Sequence, residues 1–472
     1  MPALPSQEAH RARHDKDINF SEQAVPLAAR LGRWKVTMSF WSILSAMVWL
    51  FYGALVSSLY GTRDSLIAIV LAVVFYSVLN VLTTRLGIQS GLNIALLTRS
   101  IFGRWGATLT ALLVAATTLY YAVFESSILA VGFQTYFEAG DIRLWYAIVV
   151  LGMLPLMFGS VQSWMAKING ILLPFYGVGL AATLIAAYLK YGDGWAWLSV
   201  PGTVPQDDHI LPGWVLGFIL YMGNFILMPT TIDFARFAKR EDEKFHERVT
   251  FGWVFYVLLI LVNSVAGIYL VQTVLPDSPA SETGVVHAVI ASLGFFGLLF
   301  IVVSQTRINT LNYFQSTTNF ERVLDAYSKV RLPRAVWVTA VALVVFLMML
   351  TDVFSYLHMA LIWQGALLVG WFGVVLTHFA FSARHKGLDI EIDADAPNVR
   401  WGLFAWVLPS LAGVALLQID STPPLLKEAA VPIVLLLSIV CYGATYAAVN
   451  RSNASSRAAA HRDKGIERPI AG

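Results

Sequence analysis

The chain is poor in cysteine and in charge. Its 472 residues include a single cysteine, Cys441, which excludes an internal disulfide framework and a multi-cysteine metal site. Charged residues make up 13% of the chain, whereas soluble domains usually carry roughly 25%. The net charge of +3 is too small to indicate a nucleic-acid partner. Too little polar surface remains to cover a water-soluble globule.

Several functional motifs are also missing from the sequence. There is no nucleotide-binding G-x-x-x-x-G-K-[ST] motif. If the chain is a transporter, it is therefore expected to be a secondary one, driven by an ion or substrate gradient. No H-E-x-x-H spacing or nucleophile–base pair indicates an intramembrane hydrolase, and no filter motif indicates a channel. The polar N-terminus does not resemble a cleaved signal peptide. We therefore predict a protein that is not an enzyme, without cofactor or metal.

Long apolar runs are abundant in the sequence. Hydrophobic residues make up 57% of the chain, and the mean hydropathy is +0.66. About 20 apolar residues cross a bilayer core as a helix, which satisfies its own backbone in lipid. We therefore predict an all-α membrane protein with the lipid bilayer as its surroundings. Its twelve predicted spans are 35–60, 65–86, 106–137, 143–163, 169–190, 212–235, 249–275, 285–318, 335–351, 354–380, 401–418 and 428–449.

The basic residues predict the orientation of these spans. With the N-terminus in the cytoplasm, inside segments hold 27 of the 32 Lys and Arg, and outside segments hold four. The remaining one, Arg307, lies within a span. This predicts a cytoplasmic tail at 1–33, a transporter domain at 34–449 and a solvated, unstructured cytoplasmic tail at 450–472. Both termini would lie in the cytoplasm of a cell (plasma or inner) membrane protein.

Two predicted spans look discontinuous. The sixth contains Gly223 and Pro229 around a short polar stretch, and the first contains Ser42, Ser45 and Gly53 in an apolar run. Interrupted helices at corresponding positions of two halves indicate a midplane site in secondary transporters. Spans one and six correspond in a five-plus-five inverted repeat. An ordinary proline kink and small residues that pack helices together are the alternative explanation.

Two opposite charges lie inside predicted spans. Glu125 is near the middle of the third span, and Arg307 lies in the eighth. A charge at mid-bilayer costs about 2.5–3.5 kcal/mol on insertion scales, so both need partners. The two could simply neutralise each other, or at least one could contact substrate or replace a coupling ion.

Aromatic and amide side chains accompany these charges. Tyr121 and Glu125 are four residues apart and therefore share a helix face, where a ring and a carboxylate suit a flat heterocycle. Asn309 and Asn312 could serve donors and acceptors of a ligand, or only join helices. His358 and Gln364 in the tenth span are weaker candidates for a proton relay or gate.

Four stretches resemble the nucleobase:cation symporter family, which includes purine–cytosine, allantoin and hydantoin permeases. They are the motif from Gly91 to Gly103, the segment Tyr120–Glu125, the motif from Thr231 to Phe237 that closes the sixth span, and the asparagines of the eighth span. The resemblance covers roughly residues 33–445. It implies the leucine-transporter fold, with broken helices 1 and 6 and alternating access around a midplane site.

The resemblance also implies site residues. Tyr121 falls where the family has a stacking tryptophan, and Glu125 falls where a glutamine often binds ligand. Asn224 falls where a second stacking aromatic is usual, so its neighbour Phe225 is expected to take that role. Ser45 in the first span and Asn309 or Asn312 would complete the substrate site.

The eighth span departs from the family pattern. Where members place Ser or Thr ligands of a sodium ion, this chain has Ser304, Gln305, Thr306 and Arg307. A guanidinium there would supply a fixed positive charge in place of Na⁺. We therefore expect transport without sodium, either coupled to protons through Glu125 or as an exchange, although the coupling ion, H⁺ or Na⁺, stays open.

These observations predict a monomeric permease that imports a small planar nitrogen heterocycle such as cytosine, a purine, uracil, allantoin or hydantoin. A second interpretation keeps transport but changes the substrate to a cationic vitamin or amine recognised by Glu125. A membrane-embedded enzyme or channel is the third and weakest interpretation.

Overall fold

The computed structural model describes residues 20, 22–157, 164–192, 194–276, 281–327, 332–351, 353–386 and 395–464. Nearly all of them are helical. In chain order the helices are α1 Arg33–Phe40, α2 Val48–Tyr60, α3 Thr62–Ser90, α4 Ile94–Phe137, α5 Ile142–Met157, α6 Ala166–Tyr191, α7 Gly213–Met222, α8 Leu227–Ala235, α9 Trp253–Tyr256, α10 Asn263–Val274, α11 Glu282–Leu293, α12 Phe295–Tyr327, α13 Arg334–Met349, α14 Val353–Lys386, α15 Trp401–Gln418, α16 Pro424–Glu428 and α17 Ala430–Lys464. A π-helical segment, Val257–Val262, joins α9 to α10.

The helices are those of a multi-pass membrane protein. Among the described residues, seven helical segments are long and apolar enough to cross a bilayer, and two bent helix pairs qualify as further spans. Apolar side chains such as Val70, Val78 and Leu189 are more than half exposed on the outside of the bundle. Such an apolar surface is unfavourable in water and favourable in the hydrocarbon core of a bilayer. The number of twelve spans stays a prediction.

Both predicted discontinuities are present. The first span consists of α1, a 3₁₀ turn at Trp41–Ser45 and α2, with a bend of 42°, and the sixth consists of α7 and α8, with a bend of 41°. The sixth span breaks at residues 223–226. Pro229 lies in the first turn of α8, where its missing N–H costs little. Gly53 does not mark the first break, because it lies within α2.

The predicted fourth span, 143–163, is helical through Met157, and residues 158–163 lie outside the described residues. Two other predictions were wrong. Residues 285–318 do not form one span, because Gly294 adopts φ +58° and separates α11 from α12. The C-terminal tail is not unstructured up to its end, because α17 continues to Lys464 through an alanine-rich sequence with high helix propensity.

The segments predicted to lie on one side of the membrane meet at one end of the bundle. At the predicted cytoplasmic end, the Arg85 guanidinium pairs with Glu247. At the opposite end, the Thr203 hydroxyl donates to the Ser58 carbonyl at 2.9 Å, and the backbone of Ile210 donates to Glu428. This grouping agrees with the alternation of loops that the basic residues predict.

The end of the predicted N-terminal tail packs against the helices. Val25 is buried and its backbone N–H donates to the Gly91 carbonyl at 2.9 Å. The backbone N–H of Leu31 donates to the Phe237 carbonyl at 2.7 Å. The buried Arg30 guanidinium donates to the carbonyls of Ile88 and Ala238. Residues 25–31 therefore form a strap across the predicted cytoplasmic end of the bundle.

Candidate substrate-binding site

A cavity of about 50 Å³ lies where both broken spans meet α4 and α12. Space of this size holds a few water molecules, so a heterocycle enters only as the walls move apart. Both helix breaks contribute to the wall. The lining residues are Ile43, Ala46, Val48, Trp49, Thr118, Tyr121, Glu125, Asn224, Ile226, Leu227, Thr230, Ile308, Leu311, Asn312 and Gln315.

Glu125 is the charged residue of this wall. It is 1% exposed, and its carboxylate faces the Gln305 amide and the backbone N–H groups of Met47 and Val48. Within the described residues, neither carboxylate oxygen has a partner that meets both the distance and the angle of a hydrogen bond. Met47 and Val48 begin α2, and the N-terminus of a helix stabilises a negative charge. The break in the first span therefore supplies the field that Glu125 needs.

Glu125 and Arg307 do not pair directly. The ion pairs within 4 Å among the described residues are Arg85 with Glu247 and Lys239 with Glu241. Arg307 instead donates to the Trp41 carbonyl at 2.8 Å, and its guanidinium lies 5.6 Å from the centre of the Tyr176 ring. Each buried charge is thus stabilised separately by the broken first span.

Tyr121 presents its ring to the cavity and is fixed by Gln364. The Gln364 amide donates to the Tyr121 hydroxyl at 2.9 Å and to the Gly223 carbonyl at 3.4 Å. Gln364 thereby joins α4, α14 and the break of the sixth span. The side chain of His358, the other candidate on α14, lies outside the described residues.

Asn224 lines the cavity, but Phe225 does not. The Asn224 amide donates to the Tyr221 carbonyl at 3.2 Å. Phe225 is fully buried on the other side of the break, with ring centres of Tyr76 and Phe372 at 5.7 and 5.4 Å. This placement corrects the expectation that Phe225 stacks on a ligand. Trp49 is the second aromatic of the cavity wall, and its position just after the first break could have indicated it.

The eighth-span residues divide between two roles. Asn312 lines the cavity with an unpartnered amide nitrogen, whereas Asn309 donates to Ser126 at 3.3 Å and joins α12 to α4. Gln305 is buried and faces Glu125. Thr306 is only half-buried and does not line the cavity.

The predicted ion site is occupied by protein donors. Three backbone carbonyls of the first break accept hydrogen bonds from buried side chains. Arg307 donates to Trp41, Asn263 donates to Leu44 at 2.8 Å, and the Ser304 hydroxyl donates to Ser45. The Ser45 hydroxyl is turned away to the Ser42 carbonyl at 2.7 Å, so Ser45 contributes its backbone rather than its side chain.

The motifs that carry the family resemblance meet below the cavity. The Asp233 carboxylate accepts the backbone N–H of Ile94 at 2.9 Å, and Arg236 donates to the Asp233 and Phe20 carbonyls. Asn93 caps α4 by accepting from Leu96 at 3.0 Å. These residues therefore join the ends of α4 and α8 at the predicted cytoplasmic end and do not line the cavity.

Two broken spans around a midplane cavity define the leucine-transporter class of fold, which many secondary transporters share. The structure resembles Mhp1, a nucleobase-cation-symport-1 family transporter, in a closed conformation with bromovinylhydantoin bound (TM-score 0.67, 14% identity, 92% of this chain and 96% of that chain). It resembles inward-facing Mhp1 equally well, with a TM-score of 0.68 and 16% identity over 95% of this chain and 97% of that chain.

Transporters of other substrates share this fold. A Na⁺-coupled sialic acid symporter aligns with a TM-score of 0.60 at 11% identity, over 91% of each chain. A manganese transporter of Eremococcus coleocola aligns with a TM-score of 0.57 at 17% identity, over 92% of this chain and 99% of that one. No protein-family model and no curated protein sequence matches the chain. At these identities the likeness establishes the fold.

Proposed function

We propose that this chain is a secondary transporter that imports a small planar nitrogen heterocycle, of the nucleobase or hydantoin kind, by alternating access. The observation that carries the proposal is the cavity itself, where the Tyr121 and Trp49 rings meet the Glu125 carboxylate and the Asn312 amide. Rings bind the faces of a heterocycle, and the polar groups bind its edge. The fold shared with Mhp1 supports the same substrate class.

We also propose that Arg307 replaces the sodium ion. The three carbonyls that accept from Arg307, Asn263 and Ser304 are groups that would otherwise be available to a cation. The guanidinium already supplies a positive charge there, so bound Na⁺ would be repelled. Transport is then coupled to protons through Glu125 or proceeds as an exchange.

A ligand panel tests both proposals. The thermal unfolding midpoint of the purified protein is measured with uracil, cytosine, adenine, allantoin and hydantoin, in NaCl and in choline chloride, at an acidic and an alkaline pH. We expect at least one heterocycle to raise the midpoint equally in both salts. No stabilisation by any of them would contradict the substrate class. Uptake that rises steeply with Na⁺ at constant pH and membrane potential would contradict the role of Arg307.

A cationic vitamin or amine is the second candidate substrate. It is favoured by one observation, the buried Glu125 carboxylate with no hydrogen-bond partner within the described residues. Glu125→Gln keeps the shape of the side chain and removes its charge. We expect this variant to abolish binding of a cation but to retain neutral nucleobases, measured with the same panel extended by thiamine.

The charge distribution supports a proposal for the orientation of the chain in the membrane. We propose a monomer in the cell (plasma or inner) membrane with both termini in the cytoplasm, supported by the 27 basic residues on that side against four on the other.

A further inference from the structure

The cavity-facing side of α12 carries a stripe of amides. Its members are spaced by three or four residues, so they share one helix face. They are Gln305, Asn309, Asn312, Gln315 and Asn319. Each is at most 3% exposed. Amides carry no net charge, and they offer a paired donor and acceptor to a neutral, hydrogen-bonding ligand.

Gln315 is the member of this stripe at the cytoplasmic side of the cavity. Its side chain lines the cavity and is 1% exposed. Its carbonyl oxygen accepts the Thr230 hydroxyl of α8 at 3.3 Å, which joins the broken sixth span to α12. Its amide nitrogen has no hydrogen-bond partner within the part of the chain that the structure describes. One end of the side chain is thus held by the sixth span, and the other is available to a ligand.

Asn312 presents a second free amide nitrogen one turn earlier. It also lines the cavity, and its amide nitrogen has no partner among the described residues. Two buried N–H donors therefore lie one turn apart on one wall, while the nearby acceptor is the Glu125 carboxylate on α4. A buried donor without an acceptor costs free energy, which a ligand carbonyl recovers.

We propose that Gln315 is a specificity-determining residue that, with Asn312, selects substrates bearing ring carbonyl groups. The proposal rests on the proposed transport function and narrows its substrate class to oxo-heterocycles, such as ureides and imides. The substrate carbonyl accepts from the Gln315 amide, while the Thr230 hydroxyl keeps that amide in position.

The test compares ligands that differ in ring carbonyls. Binding of uracil and hydantoin, with two carbonyls each, is measured against adenine, which has none, by competition on the purified protein. We expect the wild type to prefer the carbonyl ligands. Gln315→Leu should weaken uracil binding about tenfold, as for one lost buried hydrogen bond, and leave adenine within about twofold. Gln315→Glu replaces a donor by an acceptor at constant shape and should shift the preference towards the adenine amino group.

Asn319→Leu is the matched control. It removes an amide of the same stripe that does not line the cavity, so the order of ligand preference should persist. Equal losses for uracil and adenine in Gln315→Leu, or an unchanged preference in Gln315→Glu, would overturn the proposal. A wild type that binds none of these ligands would instead contradict the proposed function itself.

Discussion

Arg307 is a single residue whose burial has a physical cost. It is fully buried, and within the described residues no carboxylate lies within 4 Å of it. Its Nη1 and Nε atoms also have no acceptor among the described residues. The desolvation of such a charge exceeds what one hydrogen bond to the Trp41 carbonyl returns. The buried charge is therefore a poor source of stability, which is consistent with the role that we propose for it in transport.

Replacing Arg307 separates these roles. Arg307→Met keeps the length of the side chain and removes the charge, so we expect the thermal unfolding midpoint to stay unchanged or to rise. Transport in proteoliposomes should fall at least about tenfold, because the first break loses the charge that replaces the ion. Thr306→Val, one residue away and off the cavity, should change neither quantity. A large drop in the midpoint of Arg307→Met with transport retained would identify a structural residue.

At the scale of elements, α2 and α10 approach each other through glycines. A Cβ on Gly53 would lie 2.1 Å from the Ser264 carbonyl oxygen, and one on Gly267 would lie 1.9 Å from the Leu50 carbonyl oxygen. No side chain fits at such distances, so the two backbones touch. Small residues at helix interfaces allow this packing in membranes. Gly53, which the sequence associated with the break, therefore serves the contact of α2 with the seventh span.

Alanine at these glycines tests the contact. Gly53→Ala or Gly267→Ala must push α2 and α10 apart, and overpacking of this kind costs about 1–3 kcal/mol. We expect a lower thermal unfolding midpoint for each. Gly152→Ala and Gly177→Ala are matched controls, because a Cβ there meets nothing within 4 Å and alanine favours the helix. Equal midpoints for both groups of variants would contradict the close approach.

At the scale of the whole molecule, the N-terminal strap covers the predicted cytoplasmic end. Arg30 is 7% exposed and donates hydrogen bonds to carbonyls at the ends of both the second and the sixth spans, so it resists a separation of those ends. Burial, and then the neighbouring Arg240, lower the pKa of the Arg30 guanidinium to about 10. The side chain therefore stays charged at neutral pH and keeps both hydrogen bonds.

Arg30→Gln should loosen this closure. The probe is Leu311→Cys in the cavity wall, in a Cys441→Ser background that removes the native thiol. We expect a membrane-impermeant maleimide to label it several-fold faster from the cytoplasmic side once Arg30 is replaced, because the inward-open population rises. Lys35→Gln removes an equal but exposed charge and is the control. Unchanged labelling would show that the strap does not restrain opening.

The site residues that could be predicted from the sequence are those that lie on one face of a regular helix. Tyr121 and Glu125 are four residues apart on α4, and both line the cavity because a helix face persists from turn to turn. Asn312 was found in the same way, and Gln315 could have been, since it follows by three residues. Phe225 could not be assigned, because the unwound segment around it has no repeating face. Thr306 was assigned to the ion site from its position in the chain alone, but it is only half-buried and does not line the cavity.

The sequence by itself determined a multi-pass helical membrane protein with two broken spans and two charges within its spans. Those features are local, since they depend on hydropathy, glycine and proline positions and the charge of single residues. Only the tertiary structure decided that Glu125 faces the start of α2, while Arg307, Asn263 and Ser304 bind the carbonyls of the first break. These partners lie many residues apart in the chain, and a buried polar group binds whichever donor or acceptor the packing of helices brings to it.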